Sequence, residues 1–367
     1  MDDETLHALA LARVPGVGPR TWSRLMTAFG GPVAALGAGR SALRSLGLGA
    51  ATEAGILAPD WSAARADAQW LAGPGARHLL HLAQSGYPQR LAEIPDPPPL
   101  LFVNGDPTTL HQPQVAIVGS RHATAAGRDL AHDLAAGLAR AGIATTSGLA
   151  TGIDAAAHRG ALEAGGTTLA VIGTGPDRVY PTRHRRLHAE IAAAGAVLGE
   201  LPPGSAPLAA HFPRRNRIVS GLSLGVVVIQ AGRHSGSLIT ARLAAEQGRE
   251  VFAVPGSIHD PLARGCHALL REGAKLVESV DDILEELPAT VASGPVNAPP
   301  DAPLPAMDPD EARLLEALGH DPLPLDTLQQ RSGLTLDRLS SILLAMELKG
   351  LVAAIPGGRY QRRRPEG

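Results

Sequence analysis

The sequence predicts an α/β fold centred on a parallel sheet, with a helical domain before it and a winged helix–turn–helix domain after it. Three observations lead there. Between about residue 85 and residue 287, short β-branched runs bounded by glycine alternate with segments of helical periodicity. Strands that alternate with helices imply right-handed βαβ crossovers, and hence a parallel sheet. Residues 1–80 read instead as short helices broken by Gly and Pro. After a Pro/Ala-rich linker over 288–307, residues 308–367 read as three helices and a hairpin.

The first region opens with LHALALARV, apolar at helical spacing. PGVG interrupts it, and PRTWSRLMTAFG resumes with Pro19 suited to a first helical position. This helix–hairpin–helix pattern has two readings. Its turn, with Gly16, Gly18 and Arg20, can present backbone N–H groups to a phosphate, or it can be a plain packing hairpin. The central region (81–287) carries the strand-like runs VAIVGS, IATTSG, TLAVIGTG, AVLGEL, GVVVIQAG, VFAVPG and AKLVES. Between them lie AGRDLAHDLAAGLARAG, GIDAAAHRGALEAGG, RHRRLHAEIAAAG and SLITARLAAEQG, which read as helices. Ligands of such sheets bind beyond the carboxyl ends of the strands. In the last region, DPDEARLLEALG, PLDTLQQRSG, LTLDRLSSILLAMELKG and LVAAIPGGRYQRRR follow the order of a winged helix. Its third helix is not strongly basic, which favours an interaction role or weak DNA binding. The basic tail Arg362 to Arg364 can touch phosphate.

Composition narrows the classes. The chain has 367 residues, 44% hydrophobic and 19% charged, with a net charge of −2. That suits a globular protein of two or three domains, and any anion site must be a local patch. Of 33 basic residues only Lys275 and Lys349 are lysines, so such a patch is built from guanidinium. A single cysteine, Cys266, excludes an internal disulfide or a cysteine-based zinc site and fits a reducing cytoplasm. The N-terminus MDDETLHALA lacks a signal pattern, and no apolar run of ~18 residues or more suggests a membrane span. A cytoplasmic location is expected.

Four turns after strands share one texture. Gly119-Ser120-Arg121 is neither G-x-G-x-x-G nor a Walker A motif, yet it offers a tight turn, a hydroxyl, backbone donors and a guanidinium. Arg121 suits a phosphate, or serves as a surface arginine or ion pair. TSGLATGIDAAAH contributes Gly148; its Asp154 and His158 read as cap and packing rather than a catalytic pair. YPTRHRRLHAE supplies Arg183, while His184 and His188 at i, i+4 lack a third ligand, so no metal is expected. Ser235, Gly236 and Ser237 open a helix that runs through Thr240, an N-cap and an anion seat together. HFPRRNRIVSG, with Arg214, Arg215, Asn216 and Arg217, precedes GVVVIQAG and reaches the same edge. Several arginines and helix N-termini on one rim make a groove for many phosphates. A polynucleotide strand has them; a single nucleotide has too few.

The motifs YPQRLAEIPDPPPLLFVNGD, VAIVGSR, TSGLATGIDAAAHRGAL, VIGTGPDRVYP, FPRRNRIVSGLS, SGSLITARLAAEQGREVFAVPG and GAKLVES span about 200 residues in this order. In that order and spacing the chain resembles the DNA-processing protein A family. The resemblance implies an extended Rossmann-like domain. Around it stand an N-terminal helix–hairpin–helix/SAM-like module and a C-terminal winged helix. It further implies cooperative binding of single-stranded DNA, a homodimer, and loading of RecA recombinase during natural transformation, with no cofactor and no catalytic residue. Duplex DNA and a repair role stay open. The implied DNA site includes Gly119, Ser120 and Arg121 and a basic residue near the Tyr-Pro turn, here Arg183. We add Gly148, Arg214, Asn216, Arg217, Ser235, Gly236, Ser237 and Thr240, with Gly16, Gly18 and Arg20 as secondary contacts, and Tyr180 or Phe212 as surfaces for bases. Three departures stand out: His184 for a usual Asn, Gln230 for a usual Glu, and Gly199 for a usual Ser.

Two other functions compete. A nucleotide phosphoribohydrolase of the LOG class shares this Rossmann variant and carries a PGGxGTxxE turn. The matching stretch RHSGSLITARLAAE lacks the double glycine and the close Glu, leaving Glu200 and Glu246 as acids. A transcriptional regulator would act through the winged helix, whose weakly basic third helix argues against it.

Overall fold

The computed structural model of the chain describes residues 2–82, 84–288, 308–319, 322–355 and 357–363. The expected linker lies outside these residues beyond Pro288, as does Arg364 of the basic tail.

Six helices come first: α1 (Asp3–Ala12), α2 (Pro19–Phe29), α3 (Pro32–Leu36), α4 (Arg40–Ser45), α5 (Ala50–Leu57) and α6 (Trp61–Leu71). Asp2 caps α1 by accepting the Thr5 N–H at 2.8 Å, and Pro19 occupies the first turn of α2. Trp22, Leu25, Leu43 and Ile56 form a core that continues onto Leu100 and Phe102 of the sheet. The helical domain is therefore seated on the sheet.

The sheet has nine strands: β1 (Arg77–His81), β2 (Leu100–Gly105), β3 (Gln114–Gly119), β4 (Ala144–Ser147), β5 (Thr168–Val171), β6 (Ala196–Gly199), β7 (Gly225–Ile229), β8 (Glu250–Ala253) and β9 (Lys275–Leu276). Their order is β1-β2-β6-β5-β4-β3-β7-β8-β9. The seven strand-like runs of the sequence correspond to β3–β9, whose pairings are all parallel. β1 and β2 extend the sheet in antiparallel fashion on β6. The sheet is thus mixed rather than purely parallel, and β1 straddles residue 80, where the helical domain was expected to end. RHLLH and LLFVNG carry neither a βαβ crossover nor strict alternation, so the repeating pattern passed over them.

Both faces are covered. Eight helices serve this layer: α7 (Gln89–Ala92), α8 (Ala125–Arg140), α9 (Ile153–Glu163), α10 (Arg185–Ala194), α11 (His211–Leu222), α12 (Gly236–Glu246), α13 (Arg264–Arg271) and α14 (Val280–Glu285). Val115 and Ile117 of β3 pack under α8, α9 and α14, while Ala116 and Val118 face α7, α11, α12 and α13. This two-residue alternation with apolar groups on both sides is what a doubly covered strand requires.

The C-terminal unit comprises α15 (Pro309–Leu318), β10 (Leu323–Pro324), α16 (Leu325–Ser332), α17 (Leu336–Leu348), β11 (Val352–Ile355) and β12 (Arg359–Arg362). Leu314, Leu328, Leu339, Leu343 and Met346 form its core, and the small sheet runs β10-β12-β11, a winged helix. Arg363 joins it to α8, its guanidinium donating to both Asp129 oxygens at 3.2 and 3.1 Å. Among the described residues, no helix is long and apolar enough to cross a membrane.

Candidate nucleic-acid interface

The strand order reverses between β3 and β7, so the loops leaving them diverge and open a crevice at their carboxyl ends. A cavity of about 620 Å³ lies there. Its floor is tightly built. A Cβ on Gly119 would stand 1.9 Å from the Ile229 carbonyl oxygen, so only glycine lets β3 end this close to β7. The Ser120 N–H donates to the Gln230 carbonyl at 2.7 Å. Gln230 (φ +52°) accepts the Thr124 N–H at 2.9 Å and donates from Nε2 to Thr124 Oγ1 at 2.7 Å. Its carboxamide thereby locks the cap of α8 to the end of β7, a two-way role for the position where a carboxylate was the usual residue.

Arg121 is exposed and has no carboxylate partner among the described residues. Its guanidinium lies over the Phe212 ring, 5.7 Å from the centroid, and Phe212 leans on Tyr180 at 5.5 Å. Tyr180 is 46% exposed, so arginine and two aromatics form a surface at the mouth of the cavity.

Helix α11 divides its arginines by helical phase. Residues three or four apart share a face. Phe212, Arg215, Asn216 and Val219 line the cavity. Arg214 and Arg217 point to Glu200 instead. Arg217 is buried; its NH1 and NH2 donate to the two Glu200 oxygens at 2.8 Å each, and its Nε lies 3.1 Å from Asp96. Burial disfavours its charge, but the bond to Glu200 and the nearby carboxylates outweigh it and its pKa is raised. Arg214, half exposed, donates to the same Glu200 at 2.9 Å. For these two arginines, the anion in waiting is the chain's own carboxylate, and the rim position expected for Arg217 is occupied by its neighbours.

Arg215, read in the sequence as part of the same edge but not named among its DNA contacts, is the arginine inside. It is buried, donates from NH1 to the carbonyls of Gly148 (2.8 Å) and Val171, and leaves Nε without a partner. Burial pulls its pKa down to about 10; Asp154 opposes this and Arg121 adds to it. It remains a cation at neutral pH. A Cβ on Gly148 would sit 2.5 Å from this guanidinium, which explains the glycine. Asp154 accepts N–H groups from Gly148 (3.1 Å) and Ala150 (3.2 Å); burial raises its pKa against the pull of Arg215. On the opposite wall, Ser235 caps α12, and its hydroxyl lies 2.7 Å from that of Ser237. Gly236 has open space around it, and Thr240 is buried one turn on.

Gly119, Ser120, Arg121, Gly148, Asn216, Ser235, Gly236, Ser237 and Thr240 thus line one cavity. Arg183 lies apart, in a groove between α9 and α10. Gly16 (φ +83°) turns the first hairpin against Thr52, and Gly16 and Arg20 are exposed there, away from the cavity, beside Gly18. His158 donates from Nδ1 to Thr168 Oγ1 (2.7 Å), and burial pushes its pKa down to about 3. His184 donates from Nδ1 to the Leu149 carbonyl at 3.0 Å. Among the described residues no three His, Cys, Asp or Glu side chains converge as metal ligands. Glu200 is engaged with arginines and Glu246 is exposed at the far end of α12.

Fold and site together define an open, doubly covered α/β protein with a cavity at the topological switch point, lined by arginine and a helix N-terminus. The chain belongs to the DNA recombination-mediator protein A family, whose profile matches residues 78–288. Profiles of the DprA-like N-terminal HHH domain and the DprA winged helix domain match 2–64 and 298–358. Protein Smf of Escherichia coli is 42% identical over 304 residues, 80% of each chain. DNA processing protein DprA of Streptococcus pneumoniae is 51% identical over 200 residues, 54% of this chain and 71% of that one. The X-ray structure of the S. pneumoniae protein superposes with a TM-score of 0.69 at 38% identity, covering 77% of this chain and 98% of that one. A structure describing the single-stranded DNA binding mode of DNA processing protein A from Helicobacter pylori gives a TM-score of 0.53 at 30% identity, over 58% and 98% of the chains.

Proposed function

We propose that the chain binds single-stranded DNA across the strand-end rim and helps load RecA recombinase onto it during DNA uptake, as a cytoplasmic homodimer that makes and breaks no covalent bond. The observation that carries this reading is the pairing of an exposed Arg121, laid over Phe212, which in turn leans on Tyr180, with a cavity walled by Arg215 and the start of α12. Guanidinium and helix N-terminus suit phosphate, and the rings suit unstacked bases. The binding mode described for the H. pylori relative supports the same ligand class. RecA loading, dimerisation and a role in transformation rest on the family alone.

The hydrolase reading gains no support from this geometry. A general acid or base must reach the reacting proton, whereas Asp154, the carboxylate of the cavity, is buried on two backbone N–H groups. The regulator reading gains none from α17, which exposes Leu336, Leu344 and Leu348. The test is the anisotropy of a labelled single-stranded oligonucleotide across a salt series, with unlabelled duplex as competitor. Tight binding that weakens steeply with salt and resists duplex is expected. Absence of binding at low salt would overturn the reading.

A further inference from the structure

Among the described residues, two that are not glycine hold the left-handed backbone conformation, Leu149 at φ +60° and Gln230 at φ +52°. Such a residue is uncommon and persists only where its surroundings demand it. Both stand at the cavity. Leu149 lies between Gly148 and Ala150, which line it. Gln230 directly follows β7, whose last residue, Ile229, pairs with Gly119 at the start of the Arg121 turn.

Gln230 grips the Arg121 segment at both ends. Its main-chain carbonyl accepts the Ser120 N–H at 2.7 Å. Its side-chain Oε1 accepts the Thr124 N–H at 2.9 Å, and its Nε2 donates to Thr124 Oγ1 at 2.7 Å. Arg121, His122 and Ala123 form the arch between these ties. A carboxamide can serve a donor and an acceptor of one residue at once, because it carries both kinds of group. The fit is close: a Cβ on Gly127 would stand 2.3 Å from Gln230 Oε1, so the first turn of α8 rests against the carboxamide. Thr124 Oγ1 in turn accepts the Gly127 N–H at 3.1 Å and caps α8.

We propose that Gln230 is the positioning residue for Arg121: it fixes the arch between Ser120 and Thr124, so that the guanidinium is held over Phe212 and presented to a backbone phosphate. The proposal rests on the single-strand reading above and adds to it a residue that acts through Arg121 rather than on the strand. From the α9 side, the Ile153 N–H donates to the Ser120 carbonyl at 3.2 Å and Thr151 Oγ1 to the Arg121 carbonyl at 3.1 Å. These bonds hold the near end of the arch. At the Thr124 end, the carboxamide of Gln230 is the tie to β7.

A double-variant cycle in the full chain tests this, read as oligothymidylate affinity across a salt series. Gln230→Gly keeps the left-handed backbone without strain and removes the carboxamide. It should lower the salt slope by ~0.7, the share of one phosphate, as Arg121→Ala does. The chain carrying both changes should bind within about twofold of Arg121→Ala alone. Gln230→Glu, of equal reach and able to accept both the N–H and the hydroxyl proton of Thr124, should keep the slope of the wild type. Should Gln230→Gly fail to fold, Gln230→Asn takes its place, since Asn tolerates the same φ but is one methylene too short. An unchanged slope in the Gly or Asn variant would overturn the proposal. So would losses that multiply in the double variant, because Gln230 would then act independently of Arg121. A wild-type chain that does not bind the strand would bring down the single-strand reading itself, a result separate from either.

Discussion

Two parts of this molecule have the architecture to meet nucleic acid, the strand-end rim and helix α17, and they treat their cations in opposite ways. On the rim, Arg121 is exposed, in no ion pair among the described residues, and stacked on Phe212. In the winged helix, Arg338 lies 3.0 Å from Asp310, and Lys349 donates to Glu311 at 2.6 Å. The outward face of α17 then offers Leu336, Leu344 and Leu348, 47%, 61% and 83% exposed. Helix α11 repeats the contrast within four residues, with Arg217 neutralised and Arg215 facing the cavity. A count of basic residues does not locate a phosphate site. What locates it is which cations the fold leaves without an internal anion.

The comparison can be broken at its structural end first. Arg217→Ala strands the buried Glu200 with only the half-exposed Arg214, so about 3 kcal/mol of stability should be lost, read from the urea midpoint. A midpoint like that of the wild type would place Arg217 among the solvent-facing arginines. Acid sharpens the contrast next. Burial lowers the pKa of His158 to about 3 and also lowers those of His184 and His188. Below the unfolded value of about 6.5, the unfolded chain binds more protons than the native one, so stability falls as pH drops from there. Hydrogen exchange at pH 5 should show α9 and α10 losing protection before α17, whose domain has no histidine among its described residues. Third, Arg121→Ala should cost about tenfold in single-strand affinity, ~1.4 kcal/mol, with an unchanged urea midpoint. Least of all, removal of residues 308–367 should change that affinity by less than about twofold. A large loss there would reverse the roles assigned to rim and winged helix.

Much of this was readable from the chain. The alternation of glycine-bounded runs with helical segments located β3–β9 and the edge on which their loops gather, because a parallel strand needs a crossover and leaves a periodic trace. β1 and β2 have no such crossover: β1 pairs with β2, and β2 joins the sheet through β6, almost a hundred residues later. The cavity turns were legible because glycine and serine at a strand end have few other uses. The arginines of α11 were not sorted correctly, since adjacent positions in a helix diverge by about 100° and the phase is set by the core. Phe212 and Asn216, at i and i+4, would have indicated one face; Arg214 and Arg217, at i and i+3, the other. Glu200 was visible as a carboxylate at a strand end, but its engagement with Arg217 is a tertiary contact that no local pattern carries.

The phase of α11 also makes this helix separable in an engineering sense. One face is a fastener, closed on Glu200; the other is a working surface, open to the cavity. The Asn216 side chain donates to the Gly236 carbonyl at the start of α12 at 3.3 Å and takes no part in the Glu200 clamp. Adjacent positions on one helix are therefore independent dials. The cavity lining can be changed at 216 while durability is set at 217, a separation that loops, where one residue serves several neighbours, seldom permit.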